Sequence, residues 1–221
     1  MINGTLALVG GGEWRDGCSF DAGLLEAAGT SDVLVLPTGS AYEHPGLLVA
    51  AAEAWFAPLG AKVVGLDVLR RPDALDPANV EAVRRSKLTY LVGTSPMHLR
   101  SVLKDTPLWD ALLASYEEGA VVAGSSAGAM VLCDPMVDPR GGAFTVGLGL
   151  LGGMTIIPAA DTWSDDKSHR TLHLAPKGLI VAAVDERTAL VRGADGAWRA
   201  EGVGEVVAYR DHQQIGLDEL P

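Results

Sequence analysis

The sequence predicts one α/β domain over residues 1–221, with a flavodoxin-like, mostly parallel sheet sandwiched by helices and a small antiparallel C-terminal extension. The main observation is that apolar, strand-like runs alternate with helical patterns over the first 130 residues, which is typical of a parallel sheet covered by helices. A second is that 221 residues, 48% of them hydrophobic and 20% charged, suffice for one globular core. The sequence also contains no repeat or linker that would divide it.

Five short apolar runs are the predicted parallel strands, and turn-forming residues close them. They span 5–10, 32–37, 61–68, 88–93 and 120–124. Helical patterns lie between them, as in the segment 45–60, which has a proline early and a glycine at its end. The other predicted helices span 75–87, 96–104 and 107–118.

The pattern changes after residue 134, where prolines and glycines predict a long loop with short ordered pieces. A strand is predicted at 154–158 and a short helix at 166–175. From residue 178 onward, the pattern of apolar residues predicts antiparallel strands with turns at 193–196 and 201–204.

The composition argues against several classes of function. The 17 basic and 28 acidic residues give a formal net charge of −11, which repels phosphates and anionic lipid, so we expect no nucleic-acid partner and no membrane. Two cysteines are too few for a disulfide framework, no apolar run reaches the roughly 18 residues of a membrane span, and no signal peptide is evident. We therefore expect a cytoplasmic protein.

Cofactor and metal motifs are not apparent either. The glycine run 10–12 follows a predicted strand but does not continue as a dinucleotide-binding fingerprint, and no phosphate-binding P-loop occurs. The sequence also has no His-Glu-x-x-His motif and no cluster with the spacing of metal ligands. We therefore expect neither a cofactor nor a metal ion.

The segment 121–132, VVAGSSAGAMVL, matches the G-x-S-x-G pattern of a nucleophile elbow, with Ser126 at its centre. A glycine-rich chain can contain this pattern by chance, but here a buried strand precedes it and a helix of small residues follows, as the elbow requires. Such a turn holds the serine hydroxyl above the sheet. It also leaves the N–H of Ala127, at the start of the helix, free to stabilise an oxyanion.

A second loop, 91–103, begins at the end of the fourth predicted strand. Gly93 and Thr94 lie there, at the same edge of the sheet as Ser126, and their backbone N–H groups are candidates for the second oxyanion donor. The alternative is an ordinary turn between a strand and a helix.

These two loops together resemble those of the cyanophycinase and peptidase E (aspartyl dipeptidase) family of serine peptidases. The elbow GSSAGA at 124–129 carries most of the likeness. Further similar segments, in the same order, lie at 10–14, 36–43, 147–151 and 184–191. The resemblance extends over nearly the whole chain and implies a class I glutamine amidotransferase-like fold. It also implies hydrolysis of peptide bonds next to aspartate.

The sequence departs from that family at the general base. The family places a histidine after the strand that corresponds to 154–158, whereas this chain has Ala159 there. An alanine cannot accept the proton of Ser126, and an unassisted serine is a weak nucleophile. Deliberate replacement of a histidine by alanine would give the same sequence, so the sequence alone does not show whether Ala159 is native or engineered. A smaller departure is Thr94, where the family has a second glycine.

Other histidines are candidates for the missing base. His169 is the nearest to position 159 in sequence, and His98 and His44 follow other strands at the same edge of the sheet. The alternative for each is an ordinary surface or locally bonded histidine. His98 and Glu43 are also candidates for contact with the substrate.

Acidic and basic residues complete the predicted site. Asp134 and Asp138 follow the elbow helix where the family places an acidic partner, although either also fits a structural role in a turn. Arg140 and Arg170 are candidates for binding a substrate carboxylate, and the alternative for them is a solvated surface.

Two functions remain open from the sequence. The first is a serine peptidase-like hydrolase that acts on a short peptide or acidic amide, with Ser126 as nucleophile and His169 as base. The second is a non-catalytic relative that binds a small ligand or a partner, as the alanine at 159 suggests. Apolar segments such as 147–153 leave a homodimer open.

Overall fold

The computed structural model describes residues 4–140 and 142–221, and its main feature is a mixed seven-stranded sheet. The sheet has the strand order β13-β12-β1-β5-β4-β2-β3, and the five strands from β1 to β3 in that order are parallel. Helices cover both faces of these strands. The predicted α/β class with a mostly parallel sheet is therefore confirmed. The strands of this sheet are β1 (Leu6–Val9), β2 (Asp32–Gly39), β3 (Lys62–Gly65), β4 (Leu88–Gly93), β5 (Val121–Ser125), β12 (Thr188–Arg192) and β13 (Trp198–Gly202).

A separate four-stranded sheet has the order β10-β11-β14-β15. Its first pair is parallel and the other two pairs are antiparallel. The strands are β10 (Met154–Pro158), β11 (Ile180–Val184), β14 (Val206–Arg210) and β15 (Gln213–Ile215). Short two-residue strands lie in the preceding segment: β6 (Cys133–Asp134), β7 (Met136–Val137), β8 (Phe144–Thr145) and β9 (Leu151–Gly152).

The C-terminal strands thus differ in detail from the sequence prediction of one antiparallel extension. Strands β12 and β13 join the main sheet, where β12 pairs antiparallel with β1, whereas β11 pairs parallel with β10 in the second sheet. The reason is that the chain crosses between the sheets in the short turn at residues 185–187. Apolar periodicity does not reveal such a change of partner.

Seven α-helices are described: α1 (Phe20–Ala28), α2 (Pro45–Phe56), α3 (Pro77–Arg85), α4 (Pro96–Leu103), α5 (Pro107–Glu117), α6 (Ala127–Leu132) and α7 (Asp165–Leu174). Four of them begin with proline, which suits the first turn because its missing N–H has no partner there. Helix α1 was not predicted, although Gly29 ends it in the left-handed conformation with φ 60°.

The third predicted strand, 61–68, is too long. Strand β3 ends at Gly65, where an added Cβ would lie 2.8 Å from the side chain of Val49 in α2. The chain leaves the sheet after Leu66, whose N–H still donates to the Val35 carbonyl at 2.9 Å. The close approach of α2 therefore requires a glycine at the last position of β3.

Two apolar layers, one on each face of the main sheet, form the core. One layer contains Leu6, Leu8, Leu36 and Leu91. The other lies under α1 and α2 around Tyr90. Cys133 belongs to the first layer, and burial raises the pKa of its thiol to about 12.

Candidate active site

Three consecutive backbone carbonyls at the end of β1 hold the site together. The carbonyl oxygens of residues 9, 10 and 11 accept hydrogen bonds from the N–H groups of Ser126 at 3.0 Å, Ala159 at 2.6 Å and Arg187 at 2.7 Å, respectively. These residues follow β5, β10 and β11. The carboxyl ends of strands from both sheets therefore converge on one point, where open α/β sheets commonly bind ligands.

This convergence requires a glycine at position 10. A Cβ added to Gly10 would lie 2.1 Å from the carbonyl oxygen of Asp185 and 2.5 Å from that of Val184. Any side chain would push β11 and the turn after it away from β1. The glycine therefore permits the backbones of the two sheets to approach each other at the site.

Ser126 occupies a strained elbow between β5 and α6. Its dihedrals, φ 51° and ψ −111°, lie outside the regions that non-glycine residues favour. Gly128, in the first turn of α6, makes the turn possible, because an added Cβ would be 1.9 Å from the carbonyl oxygen of Leu91. The serine is half-buried at the surface of a cavity, while the helix after it is buried.

The preceding serine has a different role. Ser125 is fully buried, and its hydroxyl donates a hydrogen bond of 2.7 Å to the carboxylate of Glu13. The bond ties the glycine-rich segment after β1 to the elbow and fixes Glu13 beside Ser126.

The candidate oxyanion donors lie close to the elbow. Ala127 is the first residue of α6, so its N–H has no partner within the helix. Gly93 has φ 131° and lines the same cavity. The N–H of Thr94 is directed to the Gly39 carbonyl at 3.3 Å, while its hydroxyl donates to Glu43 at 2.7 Å.

A cavity of about 330 Å³ opens above these groups, within the size range of small-ligand sites. Ser126, Gly93, Thr94 and Ala159, which the sequence analysis singled out, all contribute to its wall. The lining comprises residues 10–15, Ser40, Leu48, Ala51, Gly93, Thr94, Ser126, Ala159 and Glu186.

The candidate histidines lie elsewhere. His169 is exposed on α7, where its ring stacks on that of His173 with centroids 6.4 Å apart. The Nε2 atom of His98 lies 2.9 Å from the Leu69 carbonyl oxygen, and His44 is exposed just before α2. None of these histidines lines the Ser126 cavity in the described residues.

The predicted acidic partners and cations also lie outside the cavity wall. Asp134 accepts a hydrogen bond of 3.1 Å from the N–H of Gly147. The guanidinium of Arg140 bonds Asp138 at 2.8 Å and holds the pKa of that carboxyl below its usual value. Arg170 is exposed on α7. These contacts match the structural alternatives named for them.

Sequence reasoning missed Glu13, Trp14, Arg15 and Glu186, which all line the cavity. The first three follow the glycine run after β1, and a loop at the carboxyl end of a parallel strand was the available signal. No comparable sequence signal identified Glu186, because its position at the cavity depends on the turn where the chain crosses between the two sheets.

A buried carboxyl lies behind the cavity wall. Asp21 accepts hydrogen bonds from the Tyr90 hydroxyl at 2.6 Å and the Trp55 indole at 2.9 Å. Trp14 packs edge-on against Tyr90, with ring centroids 5.6 Å apart. Burial raises the pKa of Asp21 to about 7, against the opposing effect of these two donors.

The described residues show neither a membrane-spanning helix nor a metal centre. No helix among them is both long and apolar enough to cross a bilayer. No group of three or more metal-ligating side chains is arranged to hold an ion in residues 4–140 and 142–221.

The fold and this cavity define a class: α/β proteins with a serine at a strand–helix elbow above the carboxyl ends of a mostly parallel sheet. A family model described as Peptidase family S51 matches residues 6–197. The chain belongs to this family, in agreement with the resemblance to peptidase E, and is thereby placed among peptidase-type hydrolases.

Two solved structures are similar to the chain over most of its length. A peptidase from an acI-B1 Actinobacterium is 28% identical, with a TM-score of 0.86 over 97% of this chain and 93% of that one. A putative peptidase E protein from Listeria monocytogenes EGD-e is 17% identical, with a TM-score of 0.65 over 94% and 98%, and supports the fold alone. The search of curated proteins found no match.

Proposed function

We propose that the chain is a serine peptidase-type hydrolase of short peptides in which Ser126 is the nucleophile. The observation that carries the proposal is the strained position of Ser126 at the cavity wall, directly before the first N–H of α6, which has no partner within the helix. Strain of this kind is concentrated at functional sites, and it aims the hydroxyl at a bound ligand.

In the proposed reaction, Ser126 Oγ attacks the carbonyl carbon of the scissile bond and an acyl-enzyme forms. The N–H of Ala127 stabilises the developing oxyanion, and Gly93, which lines the same cavity, is the proposed second donor. Water then hydrolyses the ester. Both steps need a base, which no imidazole at the described cavity wall supplies.

The substrate we propose is a short peptide with a carboxylate near the scissile bond. Arg15 lines the cavity, is exposed, and makes no ion pair in the described residues. Its guanidinium suits a carboxylate, and the preference of peptidase E-like enzymes for aspartate agrees with this chemistry.

A second candidate is a non-catalytic relative that binds such a peptide without cleaving it. The observation that favours it is the alanine at 159, together with the absence of an imidazole from the described cavity wall. The two candidates differ in whether Ser126 reacts.

Labelling with a fluorophosphonate probe, with the adduct located by mass spectrometry, distinguishes them. We expect a slow adduct on Ser126 that imidazole in the buffer accelerates and that Ser126→Ala abolishes. Ser40→Ala is the matched control, since Ser40 lines the same cavity and should be dispensable for labelling. No adduct on Ser126, with or without imidazole, would contradict the hydrolase and favour the binding protein.

A further inference from the structure

The side chains around Ser126 form an incomplete acid–base arrangement. Ser126, Ala159 and Glu186 all line the cavity. Backbone hydrogen bonds to residues 9–11 fix the first two and the turn that carries the third. The same backbone segment thus fixes the positions of the nucleophile Ser126, the small residue Ala159 and the turn that carries the carboxylate of Glu186.

Glu186 is the carboxylate best placed to accept a hydrogen bond from a donor group of the ligand. Its backbone N–H bonds Asp161 at 3.0 Å, which fixes the turn, while its carboxylate has no hydrogen-bond or ion-pair partner among the described residues. A Cβ added to Gly12 would lie 3.5 Å from Glu186 Oε2, and one added to Gly11 would lie 3.8 Å from Ser126 Cβ. The two side chains therefore lie over neighbouring glycines.

The other cavity residues do not offer a neutral base. The carboxylate of Glu13 is engaged by the Ser125 hydroxyl, and the guanidinium of Arg15 has only donors and no acceptor for a proton. Imidazole and amine side chains are missing from the described lining. Ala159, half-buried at the wall, carries only a methyl group there.

We infer that the substrate itself supplies the base. The geometry points to peptides with a histidine adjacent to the scissile bond, whose ring enters the space at Ala159 between Ser126 and Glu186. This inference rests on the proposed function, because it requires Ser126 as nucleophile.

The proton balance of the step is complete. The substrate's Nε2 takes the proton of Ser126 Oγ as the Oγ–C bond forms, while its Nδ1–H donates to the Glu186 carboxylate. The resulting imidazolium returns that proton to the leaving amine as the C–N bond breaks. The histidine lies on the acyl half, so it next takes a proton from the water that cleaves the ester and returns it to Ser126 Oγ as the acyl–oxygen bond breaks.

An imidazole fits this role better than an amine. A histidine side chain has a pKa near 6.5 and is mostly neutral at pH 7, whereas an exposed lysine is protonated. Its second nitrogen also gives the Glu186 carboxylate a donor that orients the ring. Since Glu186 binds the base rather than the reacting carbonyl, we regard it as a positioning residue.

The test compares kcat/KM of the native protein for matched peptides that differ at one residue beside the scissile bond: histidine, phenylalanine and Nε2-methylhistidine. We expect the histidine peptide to react at least ~100-fold faster than the other two, as typical for a general base. The rate should fall below about pH 6.5 as the substrate imidazole is protonated. Glu186→Gln should reduce kcat/KM for the histidine peptide by a larger factor than for the phenylalanine peptide, because only the histidine ring donates to this carboxylate.

The variant Ala159→His separates failure of this inference from failure of the proposed function. With a base in the wall, the histidine requirement should disappear and the phenylalanine peptide should be cleaved. Equal rates for all three peptides in the native protein, or cleavage by Ala159→His alone, would overturn the inference and keep Ser126 as nucleophile. No cleavage by either protein would overturn both.

Discussion

The position of Ser126 at the cavity wall requires a strained backbone conformation. A non-glycine residue at φ 51° and ψ −111° costs roughly 1–3 kcal/mol, which the surrounding structure must offset. The hydrogen bond from its N–H to Val9, and close packing of Gly128 on the Leu91 carbonyl, hold it there. The elbow is therefore a property of the β1–β5 pair as much as of the G-x-S-x-G pattern.

At the same scale, the pH dependence of stability provides a test of the buried Asp21 carboxyl. Its pKa is about 7 in the folded chain and near 3.9 when unfolded, so between these values the folded state holds an extra proton. Stability contributed by Asp21 is therefore full below pH 4 and falls as the pH rises to 7. The substitution Asp21→Asn removes this dependence.

We compare the free energy of unfolding of Asp21→Asn with that of the native protein. The difference, variant minus native, should increase by roughly 3 kcal/mol from pH 4 to pH 8. Urea unfolding at both pH values measures it. Asp16→Asn, which alters an exposed carboxylate, is the control and should show no comparable trend. A constant difference for Asp21→Asn would mean that the folded carboxyl titrates at an ordinary pKa.

The residues of the site differ in how far sequence could predict them. The elbow pattern located Ser126 and Ala127, because a motif within one segment carries its own local geometry. His169 followed from nearness in sequence to position 159, but it lies on an exposed helix face. Glu186 depends on contacts between distant segments, which no local pattern encodes.

At the scale of elements, the helices are defined by local chemistry that sequence reveals well. The N-cap residues Asp76, Ser95 and Thr106 each accept a hydrogen bond from a backbone N–H in the first turn that follows. Proline occupies the next position in all three helices. These three helix starts were therefore predicted to within about two residues, whereas β3 ends at Gly65, three residues before its predicted end.

Thr106 offers a test at this scale, because it joins two helices. Its hydroxyl donates to the Leu103 carbonyl at 2.6 Å and accepts from the Trp109 N–H at 3.3 Å, in a buried position. We expect Thr106→Val to lower the free energy of unfolding by about 1–2 kcal/mol in urea titrations. Thr106→Ser keeps the hydroxyl and should lose less than Thr106→Val. A larger loss for Thr106→Ser than for Thr106→Val would show that methyl packing, not the hydroxyl, matters there.

At the scale of the whole molecule, the site exists because two sheets meet at the end of β1. The parallel sheet provides Ser126, and the second sheet provides position 159. The turn that carries Glu186 links β11 of the second sheet to β12 of the first. The sequence indicated the α/β class, but not this division of strands, because alternating apolar residues do not specify which strand is the neighbour.

The most direct test of this convergence is to place an imidazole at position 159 and measure the rate at which fluorophosphonate labels Ser126. Ala160→His is the matched control, since Ala160 lines a different cavity. We predict that Ala159→His accelerates labelling of Ser126 by at least ~100-fold over the native protein and that Ala160→His does not. No acceleration by Ala159→His, or an equal one by Ala160→His, would contradict the account.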